Sequence, residues 1–308
     1  MSDHQKNWSQ TYRQLVDRNV GLLTPQAQDK LRTSKVAVFG MGGVGGTAFE
    51  LLVRCGIGRF SIVDNDEFEP TNLNRQILAV RDTLGRAKVE VAVERARHIS
   101  EDVRVDAFDH VDEENVSGIL AEVDVVVLAI DSLGPCLIAS REARRLGKTL
   151  IEGWALPFGN VRAFTAETPT LEQAYGLPTE GRRVADIPEA ELRSLGLQSI
   201  LGLGKIQGIR EYYSDETVMQ IMQGRISSFA PMVWLTSVLL ATETVKVLLD
   251  WGQVALGPEF ALYDPFRLTI PAIGQDEQAQ PTVEACRPGP VKLQRAASKG
   301  RTEDWPRK

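Results

Sequence analysis

The run from Ser34 to Gly46 constrains this chain most. Ser34-Lys35-Val36-Ala37-Val38-Phe39 is short, apolar and rich in valine, and Gly40-Met41-Gly42-Gly43-Val44-Gly45-Gly46 follows at once. A continuous apolar run of that length suits a strand buried on both faces of a parallel sheet. The glycines fall where such a strand must turn tightly into a helix, expected over 47–55 with Phe49, Leu52 and Val53 on its apolar face. Gly40, Gly42 and Gly45 fit G-x-G-x-x-G, with Gly43 beside them. The backbone of such a loop can approach a polyphosphate at a helix N-terminus. Residues 60–63 read as the next strand. Asp64 ends it about 20 residues beyond the glycines, where an acid can bond a ribose hydroxyl.

A dinucleotide is the usual tenant of such a half-fold, but the residues after Asp64 point elsewhere. Asp66, Asn72, Arg75 and Gln76 come within one short span, and Lys88 follows. Arg and Lys neutralise phosphate oxygens and Asp can hold a metal, so two cations and two carboxylates suit a triphosphate with its magnesium. The glycine motif alone is a weak signal. The ordered set of glycines, Asp-x-Asp, Asn-x-Asn-Arg-Gln and Lys is a strong one.

The rest of the pattern is that of an open α/β protein. Thr24 can cap a helix that begins at Pro25. Helices are expected over 75–80, 88–99 and 115–121, and strands over 103–108, 123–130, 149–153 and 160–164. The strand over 123–130 delivers Asp131 at its carboxyl end. Ligands of open parallel sheets sit beyond those ends, so Asp131 and Asp64 would face one crevice. As a bare residue type, Asp131 would also serve as the N-cap of the next helix. Residues 229–249 form a long apolar helix interrupted by Glu243 and Lys246, which suits a buried core helix rather than a membrane span.

This ordered set resembles the ThiF/MoeB/HesA family, part of the superfamily of ubiquitin-activating enzymes. The resemblance covers 18–164 well and 227–270 moderately. It implies a doubly wound, mainly parallel Rossmann-like sheet with a C-terminal extension. It also implies an ATP- and Mg2+-dependent adenylyltransferase. The acceptor would be the C-terminal carboxylate of a small ubiquitin-like or sulfur-carrier protein, usually a glycine. By resemblance, Arg75 and Lys88 would contact phosphate and Asp131 would hold Mg2+ and the α-phosphate. Gly40, Gly42, Gly43, Gly45, Asp64, Asp66, Asn72 and Gln76 would line the nucleotide site. An arginine ahead of the first strand would reach the partner's site in a homodimer, and Arg18 matches it best, with Arg13 second. The family usually has Asp-Asn where this chain has Asp131-Ser132. Many members place zinc ligands and a thioester-forming cysteine in the region of 166–224, which has no cysteine here.

The expected layout is a flexible arm over 1–17, an adenylation domain over 18–271 with a variable insert over 166–224, and a disordered tail over 272–308. A net charge of −6 argues against general nucleic-acid binding, which needs a basic face. Residues 1–14 carry no signal-peptide core, and no membrane partner is expected. Cys55, Cys136 and Cys286 are too scattered for a disulfide framework or a zinc site, so a cytoplasmic protein is expected. Cys55 and Cys136 read as core residues, and Cys286 as the exposed thiol. Two other function classes share the loop. One is an NAD-dependent oxidoreductase, which would not need Arg75 and Lys88. The other is a catalytically silent binding module, which would not need the intact polar set.

Overall fold

The computed structural model describes residues 7–203, 212–223 and 227–265. The strands are β1 (Lys35–Phe39), β2 (Arg59–Val63), β3 (Arg104–Phe108), β4 (Val125–Leu128), β5 (Thr149–Glu152), β6 (Gly159–Phe164) and β7 (Ala261–Tyr263). The helices before β4 are α1 (Gln10–Val16), α2 (Pro25–Thr33), α3 (Gly43–Arg54), α4 (Lys88–Ile99) and α5 (Val116–Ile119). Those after it are α6 (Leu133–Arg145), α7 (Leu171–Tyr175), α8 (Glu189–Leu203), α9 (Asp215–Met222) and α10 (Ala230–Leu249).

The strands form one sheet in the order β3-β2-β1-β4-β5-β6-β7, parallel from β3 to β5 and antiparallel through β6 and β7. The chain winds outward from β1 to β3, then returns to place β4 on the other side of β1. Between β1 and β4 the connections diverge to opposite sides, which opens a crevice beyond the strand ends. The period of two in each central strand divides the core. Val36 and Val38, with Val125 and Val127, join α3, α4 and α10 on one face. Ala37 and Phe39, with Val126 and Leu128, join α5, α6 and α8 on the other. Burial on both faces is why these strands are continuous in valine rather than alternating.

Two expectations are corrected. Residues 75–80 are not a helix. A 3-10 turn, Pro70–Asn72, leads into successive turns there. The turns are held from outside: the Trp234 indole N–H donates to the Arg75 carbonyl at 2.8 Å, and Asn74 Nδ2 donates to the Ser228 carbonyl at 3.2 Å. The described part of the N-terminal arm is also packed. Trp8, just before α1, and Tyr12 and Val16 on it are buried together. The Tyr12 hydroxyl donates to the Gly56 carbonyl at 2.7 Å and accepts from Gln28 at 2.9 Å. Burial pushes its pKa up to about 12. The tail over 272–308, with Cys286, lies outside the described residues.

The remaining elements lie within a few residues of expectation. Thr24 caps α2 by accepting from the Ala27 N–H, with Pro25 at its first position. α8 (Glu189–Leu203) lies within the stretch expected as a variable insert.

Candidate nucleotide and acceptor site

The carboxyl ends of β1, β2, β4 and β5 surround a single cavity of about 550 Å³. Gly40, Gly42 and Gly43 line one side, reached directly from β1. Gly40 has φ +95°, and an added Cβ there would lie 2.3 Å from the Ala129 carbonyl oxygen at the end of β4. Only glycine meets both demands. Gly45 answers a different need from the expected phosphate cradle. It does not line the cavity. Its missing Cβ would stand 1.9 Å from the Gly40 carbonyl oxygen, so it lets the first turn of α3 sit against the loop. Gly43 does both: it lines the cavity, and a Cβ there would lie 2.8 Å from Val233 of α10.

The first turn of α3 carries no acidic residue, and its N-cap, Gly42, supplies no side-chain bond. Its first N–H groups therefore face the cavity as an uncompensated positive helix end, a natural anion site.

Asp64 holds the loop in place. Its Oδ2 accepts the Met41 N–H at 2.6 Å and its Oδ1 accepts the Asp66 N–H at 2.9 Å. Burial raises its pKa, against the opposing pull of Lys88 and these two N–H groups. Lys88, the first residue of α4, is itself buried, with Nζ 2.7 Å from Asp66 Oδ2 and 4.0 Å from Asp64 Oδ1. The result is a buried ammonium between two carboxylates at the cavity wall.

Arg75 and Gln76 line the cavity from the turn after β2. Arg75 Nη1 donates to the Thr71 carbonyl and to Asn74 Oδ1, both at 2.9 Å, which aims a partly exposed guanidinium along the site. Gln76 Oε1 is buried with no hydrogen-bond partner in the protein, an open acceptor at a cavity wall. Asn72 sits elsewhere. Its Oδ1 accepts the Glu69 N–H at 3.1 Å, capping the 3-10 turn, and it borders a smaller cleft beside Asp66 and Lys88.

Asp131 emerges exposed into the cavity after β4. It does not cap α6, whose N-cap is Ser132 without a side-chain bond. Arg18 does not line its own chain's cavity; its side chain is exposed, and the one ion pair it makes among the described residues is with Asp17 at 3.9 Å.

Sequence reasoning missed Glu152, at the end of β5, and the wall beyond it. Glu152 lines the cavity and is 2 % exposed. Its Oε1 lies 2.5 Å from Arg162 Nε and accepts the Tyr175 hydroxyl at 2.9 Å. The signal was available, because the rule that picks out Asp131 at a strand end picks out Glu152 as well. Cys136 also borders the cavity, buried, with its thiol on the Ile130 carbonyl at 3.2 Å. Burial and the nearby Glu152 and Asp131 carboxylates hold its pKa well above the usual thiol value, so it is not a ready nucleophile. Cys55 is partly buried, and burial raises its thiol pKa too.

The sequence profile of the ThiF family matches residues 16–285. The chain belongs to the ThiF family. Among curated relatives, a sulfur carrier protein adenylyltransferase of Thermus thermophilus is 35 % identical over 167 residues, 54 % of this chain and 60 % of that one. A SAMP-activating enzyme E1 of Haloferax volcanii is 26 % identical over 269 residues, 87 % of this chain and 85 % of that one. Of solved structures, Escherichia coli MccB with ATP superposes with a TM-score of 0.62 at 19 % identity, over 86 % of this chain and 72 % of that one. The E. coli tRNA N6-threonylcarbamoyladenosine dehydratase superposes with a TM-score of 0.57 at 23 % identity, over 79 % and 97 %. At these identities the two structures establish the ThiF-like α/β fold.

Proposed function

We propose that this ThiF-family chain activates a carboxylate by adenylylation with ATP. The observation that carries the reading is the convergence on one cavity of an uncapped helix N-terminus, a buried lysine, an aimed arginine and an exposed aspartate. The names of the Thermus and Haloferax relatives, an adenylyltransferase and an activating E1, support it. The α3 N-terminus and the Gly40–Gly43 backbone would hold phosphate, with Asp64 and Asp66 toward the ribose and Gln76 offering its open oxygen. An acceptor carboxylate oxygen attacks the α-phosphorus. The bond from that phosphorus to the bridging oxygen breaks, and pyrophosphate leaves with the electron pair. Lys88 and Arg75 offset the charge that develops, and no covalent protein nucleophile is required.

Among the described residues there is no cluster of three or more metal-ligating side chains. That fits magnesium, which takes one or two carboxylates and completes its shell with phosphate oxygens and water. Asp131 would hold it, and the ion would supply charge neutralisation at the phosphates. The finer parts of the reading are a ubiquitin-like or sulfur-carrier protein as acceptor, a cytoplasmic setting, and a homodimer in which Arg18 enters the partner's site. Arg18 supports the last point: its one ion pair among the described residues is with the neighbouring Asp17, and it does not line its own chain's cavity.

The test is Asp131→Asn. It removes a charge from an exposed position that makes no hydrogen bond or ion pair among the described residues. It is expected to leave the thermal midpoint unchanged while lowering ATP–pyrophosphate exchange by about 100-fold or more, in the range of a lost electrostatic contact at a reacting centre. Full exchange in that variant refutes its metal role.

A further inference from the structure

The cavity has two unlike sides. The glycine loop, Arg75, Lys88 and Asp131 make one. The other is walled by Trp154 and Leu156 after β5, Ile200 and Leu203 of α8, Tyr213, and Ile221 of α9. None of these six is charged, and Arg75 and Lys88 are the only lysine or arginine side chains among the described residues that line the cavity.

This wall is built rather than incidental. Leu203 packs with Phe158, Phe260 and Leu262, and Trp154, Leu156 and Tyr213 pack against that cluster. The Tyr212 hydroxyl donates to Asp264, the residue after β7, at 2.7 Å. Trp154 is held at several points. Its indole N–H donates to the Tyr175 hydroxyl at 2.7 Å, and that hydroxyl donates to Glu152. Glu152 is held in turn by the buried Arg162. The Trp154 backbone N–H donates to Asn160 at 2.8 Å. Buried polar groups bonded in series fix a single orientation, here that of an indole at a cavity wall. Trp154, Leu156, Ile200 and Tyr213 each keep part of their surface uncovered.

Resting on the adenylylation reading, we infer that the acceptor is a polypeptide chain end with a bulky apolar side chain within a few residues of its carboxylate. A carboxylate placed beside the glycine loop leads the rest of its chain past this wall. An apolar side chain there loses water against Trp154, Leu156 and Ile200, which is favourable. A charged one loses water with no counterion among the described residues of the wall, which is costly. A flexible glycine tail alone would leave the wall uncovered. A nucleic acid would bring phosphates to a wall whose described residues carry no lysine or arginine, beside Asp131, on a chain of net charge −6.

The experiment is ATP–pyrophosphate exchange by the full chain with synthetic decapeptides that differ only at the residue before a terminal glycine: Leu, Phe, Gly, Asp or Lys. A C-terminally amidated Leu peptide and bulk tRNA complete the set. The Leu and Phe peptides are expected to exceed the Asp and Lys peptides by about tenfold or more in kcat/KM, the scale on which an apolar pocket discriminates. The amide is expected to be inactive. Ile200→Glu is expected to erase that preference, with the rise in thermal midpoint on adding MgATP reporting nucleotide binding separately. Exchange with all five free peptides within about twofold of each other overturns the inference and leaves adenylylation standing. Exchange with tRNA but with no peptide overturns the polypeptide acceptor. Exchange with nothing, although MgATP raises the midpoint, overturns adenylylation and the inference with it.

Discussion

Removing one partner of the Glu152–Arg162 pair should unfold this protein more readily than any surface change. Both side chains are 3 % exposed, and Arg162 Nη2 lies 2.5 Å from Glu152 Oε1. The Arg162 guanidinium is further enclosed by Phe260 at 4.1 Å, Tyr175 at 4.5 Å and Phe164 at 4.9 Å. Burial works against its charge, and Glu152 more than offsets this, so its pKa stands above the ordinary arginine value. Glu152→Gln leaves that cation in the same enclosure without its counterion. Breaking a buried pair in this way costs about 3–5 kcal/mol. For a domain of this size that lowers the thermal midpoint by roughly 6–20 °C. Glu152→Leu combined with Arg162→Met removes both charges and should recover most of the loss, because the desolvation cost disappears with them. Guanidinium denaturation followed by far-UV circular dichroism measures each variant. A loss below about 1 kcal/mol for Glu152→Gln would show that water reaches the guanidinium and that the pair is not the clamp described here.

Two further outcomes are expected. Glu172 is buried and would titrate high on that account, but Arg141, at 2.6 Å and 3.0 Å, and Thr179 outweigh burial and lower its pKa. Its contribution is therefore present above the unfolded glutamate pKa and lost as pH falls through the lowered folded value. Glu172→Gln should be less stable than the parent at neutral pH, with the gap closing in acid; a pH-independent gap counts against the pairing. Arg18→Ala and Lys88→Ala proteins should each be inactive alone. They should regain exchange activity after subunit mixing, because a heterodimer holds one site with both residues intact. No recovery despite demonstrated heterodimers would place Arg18 outside the site.

The nucleotide half of the fold was legible because local signals and tertiary demands agree there. The helix expected over 88–99 is α4, Lys88–Ile99, and the valine runs at β1 and β4 are strands buried on both faces. The glycine loop, Asp64, Lys88, Arg75, Gln76 and Asp131 do meet at one cavity. The misses have physical causes. Residues 75–80 have helical composition, but bonds from Trp234 and Asn74 hold them as turns, and no local pattern announces those bonds. Tyr12 and Val16 do stand at helical spacing on α1, but the other residues of its roughly two turns are mostly polar. The apolar wall was opaque because α8 is apolar on more than one side. Leu192 and Leu195 meet the core beneath α6, while Ile200 and Leu203 meet the cavity, so one dominant face is missing.

The central claim is that the cavity makes an acyl adenylate. The direct measurement is to incubate the protein with MgATP and a peptide whose C-terminal carboxylate is labelled with oxygen-18, let the adenylate hydrolyse, and examine the AMP by mass spectrometry. Attack of the carboxylate on the α-phosphorus followed by water attack at the acyl carbon leaves one labelled oxygen on AMP, and pyrophosphate appears in equal amount. Labelled AMP is the result predicted. AMP without label, or ADP and phosphate in place of AMP and pyrophosphate, would contradict it.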